Sequence, residues 1–266
     1  MRSVLALIRA SLLSAASYRV AMVISVVGLL ASVVPIYFIS AALQPMVEPS
    51  IRAEGGNYFG FLITGIAATY LLAAACSAIP GALASSIGSG TFESLLVTRT
   101  PLLALLLGLS GYPVIWSLIS AALLLGGAAL VGVHFAWSAA APVAVIGILL
   151  LLAYGGIGLF ASALIILFRT SGPLITAVIA GSGLLGGVYY STAVIPSWLQ
   201  SISSVVPLTY GLRASRMLLL GQASVGEVVP DVLMLTLLAA TSVAIGAAAF
   251  LFAMGRARSA GTLSQY

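Results

Sequence analysis

Residues 100–168 read TPLLALLLGLSGYPVIWSLISAALLLGGAALVGVHFAWSAAAPVAVIGILLLLAYGGIGLFASALIILF and contain no Asp, Glu, Lys or Arg. A helix that crosses a membrane needs about 20 consecutive apolar residues, so this run of 69 residues is too long for one crossing. Within it, residues 134–142 (HFAWSAAAP) carry a histidine and a tryptophan, which are typical of the membrane–water interface. The run therefore predicts two membrane-spanning helices, at 102–133 and 142–168, joined by a turn.

The rest of the chain is also rich in apolar residues and poor in charged ones. Of 266 residues, 62% are apolar and 6% are charged, whereas about 25% of the residues in a soluble domain are charged. The same pattern predicts four further spans, at 20–43, 58–79, 173–190 and 232–254. The sequence thus predicts an all-α membrane protein in which residues 1–266 form one domain with six transmembrane helices.

Four segments lie outside the predicted spans. Residues 1–19 place arginines on one helical face and apolar side chains on another, which predicts a helix in the membrane interface. Residues 44–57 contain two prolines and two glycines and predict a polar loop, and residues 80–101 form a segment of mixed character. In residues 191–227 two prolines leave pieces too short to cross, so we expect two short helices that enter the outer leaflet and return.

The arginines predict the orientation. With six spans and a cytoplasmic N-terminus, seven arginines lie on the cytoplasmic side and three, Arg52, Arg213 and Arg216, lie outside. This distribution obeys the positive-inside rule. A seventh span through residues 194–214 would place the basic C-terminal tail outside. The count therefore favours six spans with both termini in the cytoplasm.

The rarity of reactive residues excludes several kinds of site. All ten basic residues are arginines, so the chain lacks the lysine of a GxxxxGK nucleotide loop. One histidine and one cysteine are too few for the usual nitrogen and sulfur ligands of a zinc site. The centres of the predicted spans hold no ionisable residue, unlike most ion-coupled carriers. We therefore expect energy for any transport to come from a separate protein.

A GxSG sequence at residues 108–111 resembles the serine motif of rhomboid-type intramembrane proteases. Such a protease needs a histidine beside its serine. The single histidine, His134, follows Ser110 by 24 residues, about 36 Å along one helix. We therefore interpret Ser110 as a small residue at a helix-packing interface.

Two segments carry a second resemblance. Residues 90–101 read GTFESLLVTRTP, and residues 187–221 contain GVYY, IPSWL and PLTY, followed by Arg216 and Gly221. These motifs, in this order, resemble those of the type-2 exporter permeases of the ATP-binding-cassette superfamily. The chain departs from many of these relatives at residues 85–89, which are uncharged, and at Arg213, where an acidic residue is common.

The resemblance implies roles for two groups of residues. A short cytoplasmic coupling helix would contact the ATPase through Gly90, Thr91, Phe92, Glu93, Leu95, Leu96 and Arg99. The outer re-entrant pair would form a gate with Pro196, Trp198, Pro207, Tyr210, Arg213 and Arg216. Arg213 and Arg216 are three residues apart and are expected to share a helical face, where Glu227, Asp231 or a lipid phosphate could pair with them.

The resemblance also implies a function. The chain would be the permease subunit of an exporter in a bacterial cytoplasmic membrane, pairing with a second permease subunit and with two copies of a separate ATPase. That partner would bind ATP and magnesium, and this chain would bind neither cofactor nor metal. The substrate would be amphipathic: a drug, a peptide or a lipid-linked molecule. An intramembrane enzyme such as a protease, or an ion-coupled carrier, remains the alternative on the residues alone.

Overall fold

The computed structural model describes residues 9, 19–91, 102–168, 170, 172–221 and 223–259. Within these ranges all regular secondary structure is helical, which confirms the all-α prediction. The α-helices are α1 (Arg19–Ile51), α2 (Tyr58–Gly88), α3 (Leu102–Leu109), α4 (Gly111–Leu130), α5 (Ala140–Phe168), α6 (Gly172–Leu185), α7 (Ser197–Ser203), α8 (Pro207–Leu219) and α9 (Val225–Ser259). The predicted interfacial helix at 1–19 lies outside the described residues except for Arg9 and Arg19.

Five helical segments of the described chain are long and apolar enough to cross a membrane: Arg19–Glu54, Tyr58–Gly88, Leu102–Leu130, Trp137–Phe168 and Val225–Ala257. The chain is therefore a multi-pass membrane protein. The span predicted at 173–190 corresponds to α6, which has 14 residues and ends at Leu185. Helix α6 alone is about 21 Å long, shorter than the hydrocarbon core of a bilayer.

One predicted boundary was wrong. Helix α1 continues through Pro45 and Pro49 to Ile51, although residues 44–57 were expected to form a loop. The side chain of Gln44 donates to Gly56 O (2.7 Å) and accepts from Tyr58 N (2.8 Å), which ties this extension to the start of α2. The span predicted at 102–133 corresponds to the apolar segment Leu102–Leu130, which consists of two helices that meet at Ser110, and the Ser110 hydroxyl donates to Leu106 O (2.6 Å). Pro113 lies in the first turn of α4, where its missing N–H is tolerated.

Helix α2 lies at the centre of the bundle and packs against α1, α4, α5, α6 and α8. Helices α5 and α9 pack against each other at two glycines. A Cβ atom at Gly156 would overlap the backbone of Ser242, and one at Gly246 would overlap the backbone of Gly156. The Ser242 hydroxyl also donates across this contact to Ala153 O (2.8 Å). Small residues and interhelical hydrogen bonds of this kind allow membrane helices to approach closely.

Residues 186–206 form an irregular segment that contains the short helix α7. Gly187 has a φ of +79°, a left-handed conformation that favours glycine and turns the chain after α6. Val206 is extended, as the residue before a proline prefers to be, and Pro207 is the first residue of α8. Thr209 Oγ1 donates to Ser203 O (2.9 Å), which joins α7 to α8.

Candidate functional site

Side chains from three regions converge on the carbonyl groups at the C-terminal end of α6. The last carbonyls of a helix have no intrahelical partner, and irregular backbone after the helix adds more unpaired acceptors. Five consecutive or nearly consecutive carbonyls of this segment accept hydrogen bonds from side chains. The pairs are Tyr190 Oη to Leu184 O, Ser203 Oγ to Leu185 O, Arg216 to Gly187 O and Val188 O, and Tyr58 Oη to Tyr189 O.

Arg216 makes the largest number of these contacts. Its Nη1 donates to Gly187 O (2.9 Å) and its Nη2 donates to Val188 O (3.1 Å). Nη2 also donates to Phe61 O (3.0 Å), so one guanidinium joins α8, α2 and the segment after α6. The guanidinium carbon lies 3.4 Å from the centre of the Phe61 ring, in a cation–π contact.

Glu54 supplies the negative charge for this arginine. The carboxylate accepts from Arg216 Nη1 (3.2 Å), and it also accepts from Ser191 Oγ (3.3 Å). Glu54 ends a short 3-10 helix, Arg52–Glu54, and Gly55 follows in the left-handed region with a φ of +97°. The turn thus directs the Glu54 side chain inward, toward α8.

The cluster formed by Arg216, Glu54, Phe61, Gly187 and Val188, here called the buried arginine cluster, is closed to solvent. The side chain of Arg216 is 2% exposed and that of Glu54 is 13% exposed. Glu54 provides the counterion of Arg216 inside the cluster, and Arg216 Nε has no hydrogen-bond partner in the part of the chain that the structure describes.

Gly65 of α2 makes room for the cluster. A Cβ atom at this position would lie 2.6 Å from Val188 O and 2.9 Å from Arg216 Nη2. The first contact is with backbone, which cannot move without shifting the segment after α6. Glycine at this position therefore allows both the carbonyl and the guanidinium to approach α2.

Arg213 lies one turn earlier on α8 and has a different environment. Its Nε donates to Asp231 Oδ2 (2.8 Å), its Nη2 contacts Asp231 Oδ1, and its side chain is 48% exposed. The hydrogen bond to Asp231 raises the pKa of Arg213, and burial opposes this rise. Glu227, another partner considered for the two arginines, instead accepts from the backbone N–H and the hydroxyl of Ser224.

A polar pocket of about 290 Å³ lies beside Arg213. It is enclosed by α7, α8 and the residues that precede α7, and most of its lining side chains carry hydroxyl, amide or guanidinium groups. The lining residues are Thr192, Ala193, Gln200, Ser203, Ser204, Thr209, Tyr210 and Arg213. Several of these donors already hydrogen-bond within the protein, for example Ser203 to Leu185 O and Thr209 to Ser203 O, so the pocket presents mainly hydroxyl oxygens and the half-exposed guanidinium of Arg213.

The opposite end of α2 carries the first residues of the predicted coupling segment. Gly90 has a φ of +69°, and two hydrogen bonds, Gly90 N to Ile87 O and Thr91 N to Ser86 O, form a Schellman motif that ends the helix. Gly90 thus has a structural role as a helix terminator. The other residues expected to contact the ATPase, Phe92, Glu93, Leu95, Leu96 and Arg99, lie outside the described residues.

The remaining predicted outer residues lie along α7 and α8. Pro196 precedes α7, and the Trp198 side chain is exposed. Pro207 begins α8, and Tyr210 Oη donates to Ser204 O (2.9 Å). Glu54, Phe61 and Gly65 were not predicted to share a site with Arg216. The rarity of acidic residues was a signal for Glu54, but no local pattern connects it with a residue 162 positions away.

Comparison with known proteins identifies the family. Residues 2–220 match the family model described as ABC-2 type transporter, which covers most of the chain and includes the buried arginine cluster. No curated protein matches the chain. The chain therefore belongs to the ABC-2 type transporter family, and it is the membrane-spanning subunit of an ATP-binding-cassette transporter.

Proposed function

We propose that this member of the ABC-2 type transporter family moves an amphipathic substrate outward across a bacterial cytoplasmic membrane, with ATP hydrolysis in a separate subunit. The observation that carries the proposal is the family match over residues 2–220. The sequence supports it because the chain has no lysine for a nucleotide loop of its own. ATP and magnesium would therefore bind to two copies of a partner ATPase, and a second permease subunit would complete the assembly.

The proposed topology has six crossings, with α6 as the fifth and both termini in the cytoplasm. Helix α6 is short, and the chain turns at Gly187 directly after it. Irregular backbone at membrane depth is tolerated only where protein or water satisfies its polar groups. The hydrogen bonds from Tyr58, Tyr190, Ser203 and Arg216 meet this requirement, and this supports an embedded position for the end of α6.

Helices α7 and α8 are the proposed re-entrant pair on the outer side. Their lengths of 7 and 13 residues are too short for crossings, and Pro207 separates them. The polar pocket beside Arg213 lies between them, and the amphipathic substrate would leave past this pocket with its polar group among the hydroxyls.

Assembly with an ATPase tests the energy source. The purified chain alone should not hydrolyse ATP, and it should co-purify with an ATPase that carries a GxxxxGK loop and change that protein's turnover. Export should stop when the lysine of the partner's loop is replaced. Export that continues in that variant, and stops when the proton gradient is dissipated, would contradict the proposal and favour an ion-coupled carrier.

Cysteine labelling tests the topology. In a Cys76→Ala background, a membrane-impermeant thiol reagent should label Ala53→Cys in intact cells and Gln265→Cys only after permeabilisation. The exposed position of Ala53 beside Glu54 makes the first label accessible. Labelling of position 265 in intact cells would exclude the six-crossing arrangement.

Replacement of Glu93 tests the coupling segment. Glu93 lies among apolar residues in GTFESLLVTRTP, a composition suited to a short helix that meets another protein. Glu93→Arg should weaken association with the ATPase, or separate hydrolysis from export, while membrane insertion is unchanged. The control is Glu48→Arg, because the Glu48 side chain is half-exposed and its carboxylate lies 3.9 Å from the exposed Arg52, in the segment that precedes α2. Normal assembly and export by Glu93→Arg would rule out the proposed coupling contact.

A further inference from the structure

A second cavity, separate from the polar pocket, lies inside the helix bundle. It has a volume of about 460 Å³ and is enclosed by α2, α4, α5 and α8. Small side chains of three helices create the space, and they are Ala67, Ala68, Ala121, Ala122, Ala140, Ala144 and Gly147. Helix α8 closes the cavity with Leu212, Ser215 and Leu219, which lie on a different face from Arg213 and Tyr210.

The chemistry of the wall is unsuited to water. Apart from the indole of Trp137, the polar side chains in the lining are Thr64 and Ser215. The hydroxyl of Thr64 already donates to Gly60 O (2.7 Å). A buried water needs two to four polar partners, whereas apolar cavities stay dry and take apolar ligands. The wall therefore selects an apolar occupant.

The cavity opens on the apolar exterior of the bundle. Leu118 of α4 and Ile148 of α5 line it and are 42% and 53% exposed, so they also form part of the outer surface. This surface continues along α5 to Leu152, which is 50% exposed. Because α4 and α5 belong to apolar segments long enough to cross a membrane, this exterior lies at membrane depth, and the cavity opens on it.

The dimensions match part of one lipid chain. The lining residues of α2 run from Thr64 to Leu71, a length of about 10 Å along the helix. A cavity of roughly 150 Å³ with a similar wall holds a benzene molecule, and this one is about three times larger. Trp137 lies at one end and is 56% exposed, as expected of a tryptophan near the head-group region.

We propose that this cavity binds one acyl chain of a membrane phospholipid. An acyl chain gains no hydrophobic free energy when it moves from lipid into an apolar protein cavity. The driving force is instead that the chain fills an empty cavity, because the free-energy cost of an empty cavity rises with its volume. The bound chain contacts Ser215 and Leu219 on either side of Arg216 in the sequence of α8, so the site adjoins the helix that holds the buried arginine cluster.

Photolabelling of the purified full chain tests the proposal. The probe is a phosphatidylcholine with a diazirine in one acyl chain, titrated into protein in a short-chain detergent and mapped by peptide analysis. Labelling should saturate at one lipid per chain, fall on residues 118–125 and 140–150, and be displaced by unlabelled phosphatidylcholine. Labelling that rises linearly with lipid and spreads evenly over exposed positions such as Leu152 and Leu237 would overturn the proposal.

Two variants on one helix give a matched comparison. Ala144 and Ala141 are both exposed on α5, but only Ala144 lines the cavity. Ala144→Leu should reduce saturable labelling at least fivefold, and Ala141→Leu should leave it unchanged. Equal labelling in both variants, or cross-links that join two copies of the chain across the cavity, would overturn the proposal.

A thermal measurement keeps the test independent of labelling chemistry. Added phosphatidylcholine should raise the unfolding temperature of the wild-type protein. Ala121→Leu fills the same cavity from α4, so it should retain the fold and lose most of this rise, while Ala141→Leu should keep it. A full lipid-dependent rise in a folded Ala121→Leu or Ala144→Leu protein would contradict occupation of the cavity.

Discussion

Arg213 and Arg216 are separated by one helical turn of α8 and have opposite environments. Arg216 is buried, contacts three carbonyl oxygens and pairs with Glu54, whereas Arg213 is half-exposed and pairs with Asp231. The difference arises because a step of three residues rotates the side chain by about 60° around the helix. On α8 that rotation moves the guanidinium from the edge of the polar pocket to the centre of the bundle.

The comparison distinguishes two uses of a cation in a membrane protein. Arg216 donates hydrogen bonds to backbone carbonyls that would otherwise be unpaired where water is excluded. It therefore stabilises the fold through these hydrogen bonds. Arg213 remains in contact with the polar pocket and can be hydrated if its partner is lost. The two arginines therefore differ in how far their charge depends on a partner in the protein.

Replacement of the two arginines by methionine should give the largest contrast. Arg216→Met removes four hydrogen bonds and leaves Glu54 without its counterion, and such a loss costs about 3–5 kcal/mol in unfolding free energy. Arg213→Met leaves the 9%-exposed Asp231 without its counterion and should also destabilise the protein, but by less than Arg216→Met, because Arg213 itself is 48% exposed. Unfolding by a denaturing detergent in mixed micelles measures both values. Equal losses would show that burial does not distinguish the two residues.

Substitution of Gly65 tests the space that the buried arginine cluster requires. Gly65→Ala places a Cβ atom 2.6 Å from Val188 O, and overpacking of this kind costs about 1–3 kcal/mol. Gly81 on the same helix is the control, since no atom lies within 4 Å of its added Cβ. Gly81→Ala should be neutral or stabilising, because alanine is the better helix former. The same unfolding assay should separate the two variants, and a neutral Gly65→Ala would contradict close packing at this site.

The sequence predicted the class of fold because the signal is local. The charge-free run at 100–168 and the other apolar segments predict helices without knowledge of their packing. The start of α8 at Pro207 was also predictable from local sequence, because proline has no N–H and restricts the backbone of the residue before it. The motifs around Gly90 and Pro207 identified the family, which the match over residues 2–220 confirms.

What the sequence could not predict depends on tertiary contacts. The extension of α1 to Ile51 depends on the bonds from Gln44 to the next loop, although its prolines indicated a break. Spacing placed Arg213 and Arg216 on one face, but it could not show that the second turns inward. The partner of Arg216 lies 162 residues away, and only the folded bundle brings Glu54 to it.

Neutralisation of Glu54 and of Asp231 should give the smallest difference in unfolding free energy, and it tests the two ion pairs directly. Glu54→Gln keeps the shape of the side chain but leaves the 2%-exposed Arg216 without a counterion, and we expect a loss of about 2 kcal/mol, typical of a hydrogen bond to a charged group. Asp231→Asn should cost less than about 1 kcal/mol, because water can solvate the half-exposed Arg213. Salt should separate the two variants further. An ionic strength of about 1 M reduces the electrostatic screening length to about 3 Å, which weakens exposed ion pairs far more than buried ion pairs. The effect of Asp231→Asn should therefore shrink between about 0.15 M and about 1 M salt, whereas that of Glu54→Gln should persist. If both effects decline in parallel, solvent reaches Arg216, and the cluster is not closed.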